Sequence, residues 1–157
     1  MNVRVMIVPV TIAAGLSLGL TACGGSGDKK LAKADLAKKA NAICKPAKTK
    51  RSAIAQPANL TADPVVAAAY FDKLIPITQK ETDDLAKLKP KDDIKVDWTQ
   101  FVARQKQATG QLIVVRDKAK AKDRSGIQDL AKLNRIGNKL TGEATTVGAT
   151  ECAQFVE

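Results

Sequence analysis

Three cysteines, Cys23, Cys44 and Cys152, are the most reactive side chains in this 157-residue sequence, which contains no histidine. A thiol can be alkylated, joined in a disulfide, or bind a soft metal as the thiolate. Copper, haem, iron and zinc centres usually add imidazole or thioether ligands. The chain has no imidazole, and its methionines are Met1 and Met6, so no metal or other cofactor is expected. Nucleophilic catalysis lacks its parts as well. A hydroxyl or thiol nucleophile needs a neighbouring base, and beyond residue 22 the serines are Ser26, Ser52 and Ser125, none of them near a histidine. No catalytic residue is expected, and the chain reads as a non-enzyme.

Cys23 closes the run Leu20-Thr21-Ala22-Cys23, which follows one early cation, Arg4, and an apolar stretch from Val5 to Leu20. A charged start, an apolar middle and small residues at the end form a bacterial secretion signal. The stretch is at the short edge of what spans a hydrocarbon core about 30 Å thick. The four residues resemble the lipobox of bacterial lipoproteins, which implies cleavage between Ala22 and Cys23 and attachment of diacylglycerol to the Cys23 thiol. The expected organisation is a signal over residues 1–22, a lipidated cysteine and flexible tether over 23–29, and one folded domain over 30–157. The expected location is the extracytoplasmic face of the cell membrane, with Cys23 as the anchor. Cys44 and Cys152 are then left as an even pair in an oxidising space, and a bond between them is expected. A redox-active pair would call for a Cys-x-x-Cys arrangement, which is absent.

The formal charge is +10, unevenly spread. From Asp28 to Arg51 the local charge is +7, and Lys29, Lys30, Lys33, Lys38 and Lys39 stand closest to the anchor. Lysines beside an anionic leaflet each add about 1 kcal/mol of attraction. These five are therefore the candidate contact with anionic phospholipid or wall polymer, against the alternative of a merely solvated helix face. A second basic run, Arg116, Lys118, Lys120, Lys122 and Arg124, follows the third helical pattern. It reads as an ordinary exposed turn before it reads as a polyanion site. Export and scarce aromatics argue against nucleic acid. The aspartates at 83, 84, 92, 93 and 97 lack the ordered spacing of a calcium loop.

Helical periodicity sets the scaffold. Leu36, Ala40, Ile43, Ala47 and Ile54 recur at three, four or seven over residues 30–56, with Pro46 as an expected kink. Asp63-Pro64 opens a second helix carrying Val66, Ala69, Tyr70, Leu74, Ile77, Leu85 and Leu88, with Pro76 inside it. Trp98, Phe101, Val102, Ala108, Leu112 and Val115 mark a third. Ser125-Gly126-Ile127-Gln128 matches a capping box opening a fourth, which Gly148 ends just before Cys152. Loops of about four to eight residues favour antiparallel neighbours. The reading is all-α, an up-down-up-down four-helix bundle in which the end of the fourth helix returns beside the first. With few aromatics and many alanines, its core is light. Trp98 and Tyr70 are taken as core residues, the alternative being a pocket between them.

With the lipobox, Ala40-Asn41-Ala42-Ile43-Cys44, Trp98 at the opening of the third helix and the closing Cys152, the chain resembles small exported actinobacterial lipoproteins of uncharacterised function. The resemblance implies a helical bundle clipped by a disulfide, and no catalytic residue. The expected function is a membrane-anchored, non-catalytic binding or structural module at the cell envelope, with a protein partner unknown. The alternative is a carrier or sensor holding a small apolar or anionic ligand between its helices.

Overall fold

A computed structural model describes residues 29–153. The Leu20 to Cys23 motif, the signal expected over 1–22 and the expected tether up to residue 28 lie outside the described residues. Four helices run in order: α1 (Lys33–Ser52), α2 (Pro64–Ala86), α3 (Lys95–Lys120) and α4 (Gly126–Val147), followed by a 3-10 turn, Thr150–Cys152. They form the antiparallel up-down-up-down bundle that the periodicity predicts. None of these helices is long and apolar enough to cross a membrane.

Each helix begins or ends where local chemistry dictates. The Asp63 side chain accepts from the amides of Val65 (2.8 Å) and Val66 (3.4 Å). Pro64 occupies the first helical position, where its missing N–H costs nothing. At the other end of the bundle Gly148 adopts φ 77°. The Ala149 amide donates to the Ala144 carbonyl (2.8 Å), closing α4 in a left-handed cap. The capping box expected at Ser125 does not form. Ser125, just ahead of α4, already has helical backbone angles and gives its amide and its hydroxyl to the Asp123 carboxylate, each at 2.9 Å. A carboxylate two residues upstream is a stronger acceptor than a serine hydroxyl and takes over the turn.

Two further expectations change. α1 stops at Ser52, four residues short of Gln56, so the first connection has eleven residues. Pro57 drives the residue before it toward extended backbone. Asn59 then folds the loop by accepting from the Thr61 amide (2.9 Å). Both α1 and α2 run unbroken through Pro46 and Pro76, and the two prolines line one groove between these helices.

Packing is sequential: α1 on α2, α2 on α3, α3 on α4. The seam between α4 and α1 is closed by the 3-10 turn, which touches both, in place of broad contact between the two helices. Asn41 holds this segment twice. Its Nδ2 donates to the Gly148 carbonyl (3.0 Å), and its Oδ1 accepts from the Glu151 amide (2.9 Å). The Thr141 hydroxyl donates to the Ala153 carbonyl (2.8 Å), so the chain doubles back along α4. The Cys44–Cys152 bond completes the closure, with Cα atoms 5.1 Å apart. Side-chain hydrogen bonds thus satisfy backbone groups that no regular element pairs.

The core joins Leu36, Ala40 and Cys44 of α1 to Phe71 and Leu74 of α2, Trp98, Phe101 and Leu112 of α3, and Leu133, Leu140 and Val147 of α4. Trp98 and Phe101 pack as a tilted pair with ring centroids 5.3 Å apart, and Tyr70 meets Phe71 edge-on at 5.4 Å. Trp98 and Tyr70 are buried core residues, as read from the sequence. The α2 stripe differs from that reading. Val66 and Ala69 are exposed, while Ala67, Phe71 and Ile75 face inward.

Candidate functional site

At the end of the bundle nearest Cys23 in the chain, the N-terminal segment is fixed to the α2–α3 connection. The Leu31 amide donates to the Lys89 carbonyl (2.7 Å), and the Lys91 amide donates to the Leu31 carbonyl (2.8 Å). Lys30 Nζ lies 2.8 and 2.9 Å from the two Asp92 carboxylate oxygens, and this hydrogen bond holds the Asp92 carboxyl below the usual range. All five candidate lysines, Lys29, Lys30, Lys33, Lys38 and Lys39, are exposed. Lys30 is the exception in charge, being matched to Asp92; the other four have no acidic partner among the described residues.

The neighbouring aspartates do not converge on one point. Asp84 is clasped by Lys80 and Lys87, each at 2.7 Å, and these hydrogen bonds hold its carboxyl down at about 2. Asp83, Asp93 and Asp97 are exposed. A hard cation needs several carboxylate oxygens in one shell. Here Lys80, Lys87 and Lys30 occupy the acids that could have begun one.

Between α1 and α2 lies a buried polar cluster that the sequence reading overlooked. Arg51, the last cation of the +7 run, is 8% exposed and donates to Glu81, whose side chain is 1% exposed. Burial pushes the Glu81 carboxyl above its ordinary 4.5, and the Arg51 guanidinium offsets only part of that shift. One Glu81 oxygen lies within 4.8 Å of both sulfurs of Cys44 and Cys152. Joined as a disulfide, these sulfurs have no thiolate to offer a metal. The signal for this pair was present. Arg51 continues the spacing 36, 40, 44, 47 of α1, and Glu81 continues 67, 71, 74, 78 of α2, so each charge stands on an apolar stripe. Gln105 likewise occupies a core position of α3 and is buried, with neither amide atom hydrogen-bonded among the described residues.

The opposite end of the bundle carries an open cleft of about 460 Å³. The 60–62 loop, the start of α2, the end of α3 and the start of α4 surround it. Ala67, Phe71 and Val115, all buried, form its floor, and Leu60 and Leu130 form half-buried walls. Ile127 stands on the lip with 53% of its surface exposed, and Lys122 and Arg124 complete the rim. The chain reverses here with Lys122 at φ 55°, a left-handed conformation that few residues with a side chain adopt. A pocket between Trp98 and Tyr70 is replaced by packed core, and neither residue lines this cleft.

The second basic run is thereby divided in two. Arg116 pairs with Asp72 and Asp117, Lys118 with Asp129, and Lys120 with Asp72. Lys122 and Arg124 have no acidic partner among the described residues and are the two that border the cleft. Comparison of the chain with family models, with curated proteins and with solved structures returned no match.

Proposed function

We propose that this is an exported lipoprotein of the type named above, anchored through Cys23 at the outer face of the cell membrane, whose helical domain acts there as a non-catalytic binding module. The observation that carries the reading is the attachment of Leu31 to the α2–α3 connection, which ties the chain just beyond the expected tether to one end of the bundle. That end bears Lys29 and Lys33, with Lys38 and Lys39 following on α1, all exposed and without acidic partners among the described residues. A lipid anchor combined with basic charge holds a protein at a surface more firmly than a single acyl chain. Anionic phospholipid is the surface this arrangement suits, because lysine charges act within a Debye length of the headgroups. A non-catalytic role is supported by chemistry already described: the buried Glu81 carboxylate is tied to Arg51, and the Ser125 hydroxyl that donates to Asp123 serves to fold the turn before α4.

Metabolic lipid labelling and fractionation of intact cells test the anchor. Cys23→Ala should abolish labelling and leave either an unprocessed precursor or a released chain; undiminished labelling would refute the assignment. The lysines are tested by changing Lys29, Lys33, Lys38 and Lys39 to Gln in the lipidated protein. Crosslinking to anionic phospholipid should fall several-fold. Loss of wall polymer instead would identify that surface as the partner, and no change would return these lysines to plain solvation.

A further inference from the structure

The distal cleft has three properties that together define a ligand. Its volume, about 460 Å³, lies within the range of pockets that take small molecules. Its floor is apolar and its walls are largely so, Thr61 being the polar side chain among them, and the large aliphatic side chain of Ile127 is left in solvent at the mouth. Its rim holds two cations, Lys122 and Arg124, while the three preceding cations of the same run are matched to aspartates. Asp123 lies between them, but both of its oxygens are engaged by Ser125, so its role is to shape the turn; the rim retains a net positive charge.

We propose that this cleft binds a single-chain amphipathic anion of the fatty-carboxylate class, with its aliphatic chain against Phe71, Val115 and Leu130 and its carboxylate at Lys122 and Arg124. A neutral apolar ligand would leave the two cations without a role. A polyanion would find two positive groups and an apolar floor with no hydrogen-bond donors of its own. A carboxylate with an aliphatic tail matches both parts, because apolar burial supplies affinity and the charge-assisted contact fixes orientation. The site is also well placed to meet such a ligand outside the bilayer. α3 has 26 residues, so at about 1.5 Å per residue the cleft is roughly 35–40 Å from the end where Leu31 meets Pro90. The cleft and its ligand do not require the anchor; only the placement outside the bilayer rests on the function proposed above.

The test uses the full chain in phospholipid bilayer discs, titrated with a photoreactive dodecanoate and, in parallel, with the corresponding photoreactive dodecanol. Labelled positions are mapped by peptide mass analysis. Dodecanoate should label peptides spanning residues 60–71 and 115–130 saturably, with half-saturation at least tenfold lower than for the alcohol. Lys122→Gln combined with Arg124→Gln should raise the half-saturating concentration about tenfold, and Ala119→Phe, which fills the cleft, should abolish saturable labelling. Labelling that never saturates, that spreads along the chain as partition into the disc would produce, or that is equal for acid and alcohol overturns the proposal. So does indifference to the double Gln variant, which lies on exposed positions and keeps the test decisive should Ala119→Phe fail to fold.

Discussion

Arg51 and Glu81 form an ion pair across the α1–α2 seam with side chains only 8% and 1% exposed. Two charges removed from water are costly individually and tolerable together, so losing one partner is worse than losing both. Arg51→Met should lower unfolding stability by about 3–5 kcal/mol, read from urea denaturation followed by circular dichroism. Adding Glu81→Leu to that variant should restore most of the loss. If the double variant is no better than the single one, the cost belongs to the packing of Arg51 rather than to a stranded carboxylate.

The same carboxylate gives a pH signature with a definite sign. Burial raises Glu81 above 4.5 in the folded protein, so the fold holds its proton more tightly than the unfolded chain does. The stabilisation from that proton is fully present below 4.5 and fades as pH rises through the raised value. Asp84, held down to about 2, acts in the opposite direction: its contribution is present above 3.8 and is lost as pH falls toward 2. Thermal melts of wild type and Glu81→Gln should therefore run parallel below pH 4.5 and diverge as pH rises from there through the raised value. Parallel curves throughout would show that Glu81 titrates normally.

Cys44 and Cys152 close a loop with a sequence separation of 108 in a bundle whose core leans on alanine. Chain-entropy arguments give roughly 4–5 kcal/mol for a loop of that size. Replacing both cysteines with Ala should cost about this much in urea denaturation, with the loss appearing as reduced cooperativity if the 3-10 turn detaches before the helices melt. A loss under about 1 kcal/mol would mean that Asn41 alone secures the closing segment, with little left for the loop-closure entropy to contribute.

Two glycines of α4 and its cap should respond in opposite directions to alanine. At Gly148 the backbone is left-handed, and a Cβ would stand 3.0 Å from that of Ala37. Gly148→Ala should therefore destabilise by about 1–2 kcal/mol. At Gly137, inside the helix, a Cβ meets nothing within 4 Å. Gly137→Ala should stabilise by about 0.5–1 kcal/mol. Thermal melts of the two variants check both signs at once.

Much of the architecture was legible in the sequence because helix periodicity is local. The α3 stripe from Trp98 to Val115, the Asp63-Pro64 opening and the Gly148 stop each depend on residues within a few turns of one another. Cys44 and Cys152 could be paired from their number and from the compartment expected for the chain, and the structure joins them. The sequence was less informative wherever two local signals competed, as where Asp123 drew the Ser125 amide and hydroxyl into the turn before α4 and the side-chain cap that the spacing assigns to Ser125 did not form.

Tertiary structure decided which charges are exposed and which are matched. Sequence alone placed Arg51 in a basic run and Lys122 in another; packing buried the first against Glu81 and left the second on the rim of a cleft. It also decided that the 3-10 turn, held by Asn41, would close the α4–α1 seam. Helix formation depends on neighbours three and four residues away, whereas the partner of a charge or the wall of a cleft comes from a segment tens of residues distant. The sequence by itself therefore determined the helices and the cysteine pair, and the burial and the distal cleft arose only when the four helices were brought together.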